Sequence, residues 1–159
     1  HVMAETSFEA LFGADLRLLG DLEQAEQRER GSDLFTIIRP ESARVDLQRL
    51  SGVPDLQQAL LLRLLTQVGE LAHLGHPQYG SRLHELIGEP NTEATRNRAR
   101  LFALQVLQAE PRVSQVRSIV VRTRRDRPNR IDIVASVDAI DSATAVNLVF
   151  PIALDGGAP

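Results

Sequence analysis

From Ser51 onward apolar positions recur with two different periods, and the change of period divides the chain. Leu56, Ala59, Leu60, Leu64 and Leu65 return at the three- and four-residue steps of one helical face until Gly69. Pro54 suits a first helical position and Asp55 the positive end of the helix dipole, so a buried helix is predicted to begin there. Gly75-His76-Pro77-Gln78-Tyr79-Gly80 reads as a loop. Ser81 is placed to cap a short second helix with Leu83, Leu86 and Ile87 on one side, closed by Gly88 and Pro90. Asn91 or Thr92 caps the third and longest, which carries Glu93 in its first turn. Its Ala99, Phe102, Ala103, Val106 and Leu107 face inward, and Pro111 stops it.

Beyond Pro111 the period becomes two. Residues 116–123 form a predicted strand and residues 124–129 a turn around Pro128. Ile131, Ile133, Ala135 and Val137 then alternate with polar Asp132, Ser136 and Asp138. Val146, Leu148, Phe150 and Ile152 make a third strand, and Pro151, which lacks an amide donor, assigns that strand or its end to a sheet edge. The predicted class is α+β, with three main helices packed on one face of an antiparallel three-stranded β-meander.

The first fifty residues are less regular. Phe8, Leu11, Phe12, Leu16, Leu18 and Leu19 form an apolar cluster, and residues 21–32 are polar and charge-rich, as in a solvated helix or linker. Residues 34–38 and 45–47 carry the β-formers of one or two short strands, so the arm is a candidate to add a strand. The expected division is an arm over residues 1–50, a domain over 51–154 and a tail over 155–159, with His1-Val2 read as an expression remnant ahead of Met3.

Composition narrows the chemistry. With 159 residues, 43% hydrophobic and 25% charged, the chain suits one domain. All 18 basic residues are arginine, and lysine, cysteine and tryptophan are absent. Disulfides, cysteine zinc sites and lysine-dependent Schiff-base or P-loop mechanisms are thereby excluded. The net charge of -3 conceals an asymmetry, because residues 1–90 hold 14 acids against 8 arginines and residues 91–159 hold 7 against 10. No stretch approaches the roughly 20 apolar residues of a membrane span, and the start of the chain lacks a secretory pattern. Cytoplasmic folding and no membrane partner are expected.

Several clusters of residues suggest site chemistry. His73, His76 and His84 with Glu85 are close in sequence, but a loop separates them and they lack the same-face spacing that brings two imidazoles to one zinc. No metal or other cofactor is expected. Glu85 and Glu89, with Glu110 further on, supply the carboxylates of a glycosidase, whereas the aromatic platforms that hold sugars are scarce. Ser81 and His84 lack a nucleophile elbow, and capping accounts for Ser81. Arg122, Arg124, Arg125, Arg127 and Arg130 fall within nine residues and suit phosphates, yet no aromatic residue interleaves for base stacking. A hairpin tip that docks through Arg124 and Arg125 on an acidic protein is preferred to nucleic acid. An exposed sheet edge, which needs protection or a partner, adds a strand-addition surface at Val146 and Leu148.

Leu74-Gly75-His76-Pro77-Gln78-Tyr79-Gly80-Ser81-Arg82-Leu83, Glu89-Pro90-Asn91 before the long helix and Glu110-Pro111-Arg112 at its end occur in that order. Together they resemble the gene-25-type baseplate wedge family of contractile phage tails, which extends to tailocins, extracellular injection systems and the type VI secretion baseplate. The match spans about two-thirds of the chain. It departs at Leu71, where many relatives carry arginine after Gly-Glu, and in its longer arm. The resemblance implies a non-enzymatic structural part of a virion or injection-particle baseplate, assembled in the bacterial cytoplasm in several symmetric copies, six being the expected number. Its implied partners are other wedge proteins and the tail sheath protein. Glu110 and Arg112 are the implied contacts, with Pro111 fixing the corner and Glu89 and Asn91 expected in the same protein interface; the alternative is local pairing of both corner charges with the Glu89-Pro90-Asn91 turn. Some members carry a lysozyme label, which keeps a peptidoglycan hydrolase as the other reading.

Overall fold

A computed structural model describes residues 14–16, 36–38, 45–47, 49–140 and 142–156, with side chains within 52–140 and 142–156. The apolar cluster at Phe8 to Leu19 and the polar stretch 21–32 lie outside the described residues, apart from residues 14–16. Four short strands precede the helices: β1 (Ala14–Leu16), β2 (Thr36–Ile38), β3 (Val45–Leu47) and β4 (Arg49–Ser51). β1 pairs antiparallel with β4 and β2 with β3. These strands therefore pair with one another and add none to the main sheet.

Helix α1 (Val53–Leu65) starts with proline in its first turn, where a missing amide donor costs nothing, and Asp55 follows at the positive end of the dipole. Leu56, Leu60, Leu61 and Leu64 are buried, each contributing about 1.5–3 kcal/mol by leaving water. Leu65, assigned inward from its spacing, is 41% exposed, and Leu61 occupies the core instead. The helix ends at extended Thr66, short of Gly69, and the Thr66 hydroxyl bonds back to the Leu62 carbonyl at 2.8 Å. Helix α2 (Glu93–Gln108) is capped by Thr92, whose Oγ1 accepts from the Thr95 amide at 3.2 Å. Its Ala99, Phe102, Ala103, Val106 and Leu107 are buried as their periodicity predicts.

The expected third helix is absent: among the described residues there are two α-helices, and residues Leu83–Leu86 make one four-residue 3-10 turn. Gly80 and Gly88 bracket this segment with φ of 113° and 92°, leaving too few residues to offset the cost of helix nucleation. Leu83 and Leu86 still point inward, but Ile87 is 52% exposed.

The main sheet is the meander β5 (Val113–Arg124), β6 (Arg127–Ala139) and β7 (Ala145–Ala153), in that order and antiparallel. On one face Ile131, Ile133, Ala135 and Val137 of β6 and Val146, Leu148, Phe150 and Ile152 of β7 join the buried helix residues in a single core. On the other face Val120, Val134 and Val149 stand side by side across the three strands. The predicted turn at residues 124–129 is tighter than expected. Arg124 pairs directly with Arg127, while the next pair is Thr123 with Ile131, so residues 128–130 are accommodated as an irregularity at the start of the central strand. That irregularity lets Pro128 begin a central strand without leaving a ladder position short of a donor. Pro151 lies on β7, an outer strand, as its missing amide predicts. No helix among the described residues is long and apolar enough to cross a membrane.

Candidate functional site

Where α2 gives way to β5, the chain turns through Glu110-Pro111-Arg112. Glu110 is 5% exposed and Asp55 likewise 5%. Arg112 joins them: its Nε donates to Glu110 Oε1 at 2.7 Å and its Nη1 to Asp55 Oδ2 at 2.9 Å. Arg63 Nη2 reaches Glu110 Oε2 at 3.3 Å, and the same guanidinium lies 4.6 Å from the centre of the Tyr79 ring. Burial would raise the Glu110 carboxyl, but the hydrogen bond and charge of Arg112, helped by Arg63, hold it below the ordinary carboxylate value. Burial likewise would lower Arg112, and Glu110 and Asp55 raise it instead. Burial raises the Tyr79 phenol, partly opposed by Arg63. The corner therefore holds two ionised acids and two arginines in a closed arrangement that ties the start of α1 to the end of α2. Pro111 faces solvent, and Arg112 keeps a quarter of its side chain exposed.

Neither corner charge pairs with the Glu89-Pro90-Asn91 turn, which has its own partners. Glu89 bonds to Arg98, and Thr95 Oγ1 approaches it at 3.5 Å. Asn91 Nδ2 donates to the Pro128 carbonyl at 2.6 Å and to Thr123 Oγ1 at 3.2 Å, while its Oδ1 accepts from Arg96 at 2.8 Å. Asn91 thus staples the start of α2 to the β5–β6 hairpin. Glu85 accepts two bonds from Arg82, at 2.8 and 3.0 Å, and the Arg82 contact lowers its carboxyl. Arg82 and Arg98 both lie over the Phe102 ring, at 4.8 and 5.7 Å. A glycosidase acid needs a carboxyl kept protonated by its surroundings, whereas Arg82 and Arg112 hold Glu85 and Glu110 below the ordinary carboxylate value and Glu89 is ion-paired with Arg98.

The arginine run is split by the hairpin. Arg130 is buried, and Arg124 is half-buried and bonded to Asp126 at 3.4 Å. Arg122, Arg125 and Arg127 remain exposed. Val146 and Leu148 are both 1% exposed, so β7 can offer a partner its main-chain edge but not these two side chains. A cleft of about 340 Å³ lies along that strand, lined by Leu65, Gln67, His84, Ile87, Phe150 and Pro151. His73 and His76 are exposed in their loop, and His84 Nδ1 lies 3.2 Å from the Ser81 carbonyl. No three His, Asp or Glu side chains converge on a common point among the described residues. Ser81 Oγ donates to the Leu64 carbonyl at 2.7 Å, a structural bond.

Sequence reasoning missed Asp55, Arg63 and Tyr79 as members of the corner. Asp55 had a complete local explanation as a helix-start acid, and its partner lies 57 positions away. Arg63 did carry a signal, since it interrupts an otherwise leucine-rich helix.

The architecture is that of a helix pair on one face of a three-stranded meander, closed at one corner by a buried ion network. No family model matches the chain, and no curated protein matches it in sequence. Among solved structures it is similar to the crystal structure of a Geobacter sulfurreducens protein provisionally named a tail lysozyme, with a TM-score of 0.54 and 22% sequence identity. The likeness covers 64% of this chain and 89% of that one, and what the two share at this identity is the fold.

Proposed function

We propose that the chain is a non-enzymatic structural component of the baseplate of a contractile tail or related injection machine, joining wedge proteins to the sheath by strand addition at an edge of its sheet. The observation that carries this reading is the three-stranded sheet itself, whose outer strands β5 and β7 each have one edge unpaired among the described residues. Edges of 12 and 9 residues are long for a sheet with no covering strand among the described residues, and added strands are a recurrent way to satisfy them. The fold likeness to a protein named as a tail lysozyme supports the setting. The ordered motif series in the sequence supports the family. The Glu110-Pro111-Arg112 corner serves as a second contact, presenting Pro111 and the outer side of Arg112 while its acids remain inside.

The hydrolase named by that neighbour is the less favoured reading, because the candidate carboxylates are all engaged by arginine. The test is co-expression with the baseplate and sheath proteins encoded beside it. Stable co-purification, weakened by Arg125→Glu/Arg127→Glu at the hairpin tip or by an added peptide that pairs with a sheet edge, is expected. A folded chain that associates with none of them would overturn the adaptor role. Peptidoglycan turnover that vanishes in Glu85→Gln or Glu89→Gln would restore the enzyme.

A further inference from the structure

We infer that the docking edge is β5 and that it selects an extended segment with acidic residues at alternate positions. The inference rests on the strand-addition reading above and adds the edge and the chemistry of the partner. A groove of about 450 Å³ runs between the exposed side of α2 and β5, lined by Arg96, Arg100, Arg117, Ile119 and Val120, with Glu93 as its one acid. Arg100 has no acidic partner among the described residues, and the Arg117 side chain is 53% exposed although its Nε meets Asp138 at 2.6 Å. Arg96 is anchored by Asn91 and keeps its charge beside the groove. At the centre of the edge, Val120 is 45% exposed.

A strand laid along β5 would send alternate side chains to opposite faces. Those beneath α2 meet Arg96 and Arg100, whose planar guanidinium groups pair with carboxylates. Those on the other face extend the row Val120, Val134 and Val149 and gain from being apolar. The β7 edge lacks this charge: of the residues lining its cleft, none is arginine. A segment alternating acidic and β-branched residues therefore fits β5 and has no matching site on β7.

The test uses the full chain, isotopically labelled, and three fluorescent heptapeptides in which valine alternates with glutamate, glutamine or lysine. The glutamate peptide should bind, weaken as salt rises, and shift amide signals of residues 117–122. The glutamine peptide should bind at least about tenfold more weakly, as expected for loss of charge-assisted pairing, and the lysine peptide not at all. Arg100→Glu, at an exposed position on α2, should reverse the preference. Equal binding of the glutamate and glutamine peptides at β5 would leave strand addition standing and overturn the acidic selection. Shifts confined to β7 or to the hairpin tip would overturn the choice of edge, as would absence of binding by all three. Undiminished binding of a glutamate peptide N-methylated at alternate residues would overturn main-chain pairing.

Discussion

Asp55, in the first turn of α1, accepts a hydrogen bond at 2.9 Å from Arg112, which stands just before β5 and 57 positions later in the chain. Arg112 also holds Glu110, so one guanidinium neutralises two buried acids. This makes the Glu-Pro-Arg corner part of the folding machinery as well as a candidate contact. Removing the cation would take one charged partner from each of two buried carboxylates, and such a loss costs about 2–4 kcal/mol at a site where the arginine is a quarter exposed. Arg112→Ala should therefore lower stability by that amount in urea unfolding, and Arg112→Lys, which keeps charge but not the two-pronged geometry, should recover part of it. An Arg112→Ala chain as stable as the original would mean that the corner carries no net stability.

The same corner sets a pH dependence. Glu110 is held below the ordinary carboxylate value, so the folded chain binds fewer protons than the unfolded chain as pH falls through the normal range near 4.3. Its contribution is complete above that unfolded value and is lost as pH drops toward the depressed folded one. Urea midpoints measured from pH 7 to pH 3 should fall more steeply for the native chain than for Glu110→Gln. Parallel curves would remove Glu110 as a source of acid sensitivity.

Gly80 is required for two reasons at once. Its φ is +113°, and a Cβ there would stand 2.7 Å from the Thr66 carbonyl oxygen and 2.8 Å from the Gln67 carbonyl carbon. Those atoms belong to the crossing in which Ser81 donates its amide to Thr66 and accepts from Val68, so backbone cannot move aside cheaply. Gly80→Ala should cost more than about 2 kcal/mol. Gly88 has φ of +92° with open space around the same position, and Gly88→Ala should cost only the conformational strain of about 1–2 kcal/mol. Thermal unfolding of the two variants separates collision from strain, and equal losses would show that the close approach at Gly80 has no energetic weight.

The elements legible in the sequence were those whose burial follows from local periodicity. The inward residues of α2 and the alternating faces of β6 and β7 could be named because each strand or helix meets the core along one regular stripe. β5 was less legible: bulges at residues 113–118 and 123–124 break its alternation, and Ile119 is its one buried residue. The segment around Leu83 misled because its apolar spacing suits a helix while its bracketing glycines prevent one. At the site, the motif located Glu110 and Arg112, but no local pattern encodes that Asp55 and Arg63 arrive from another helix. Likewise the clustered arginines looked like one patch until the hairpin register buried Arg130 and left Arg125 and Arg127 outside.

Asn91 supplies the last prediction, because its side chain is the link between the α2 start and the β5–β6 hairpin. The amide Nδ2 donates to the Pro128 carbonyl and Thr123, and Oδ1 accepts from Arg96. Asn91→Asp keeps the acceptor and its favourable place near the helix dipole but loses both donated bonds. Thr92 separately caps the helix. Asn91→Asp should cost about 1 kcal/mol through the hairpin link, and Thr92→Ala about 1 kcal/mol through the helix start. Amide hydrogen exchange tells these apart: Asn91→Asp should speed exchange around residues 123–131 while sparing α2, and Thr92→Ala should do the reverse. If both variants loosened the same amides, the helix start and the hairpin would behave as one cooperative unit, and Asn91 would not be a separable staple.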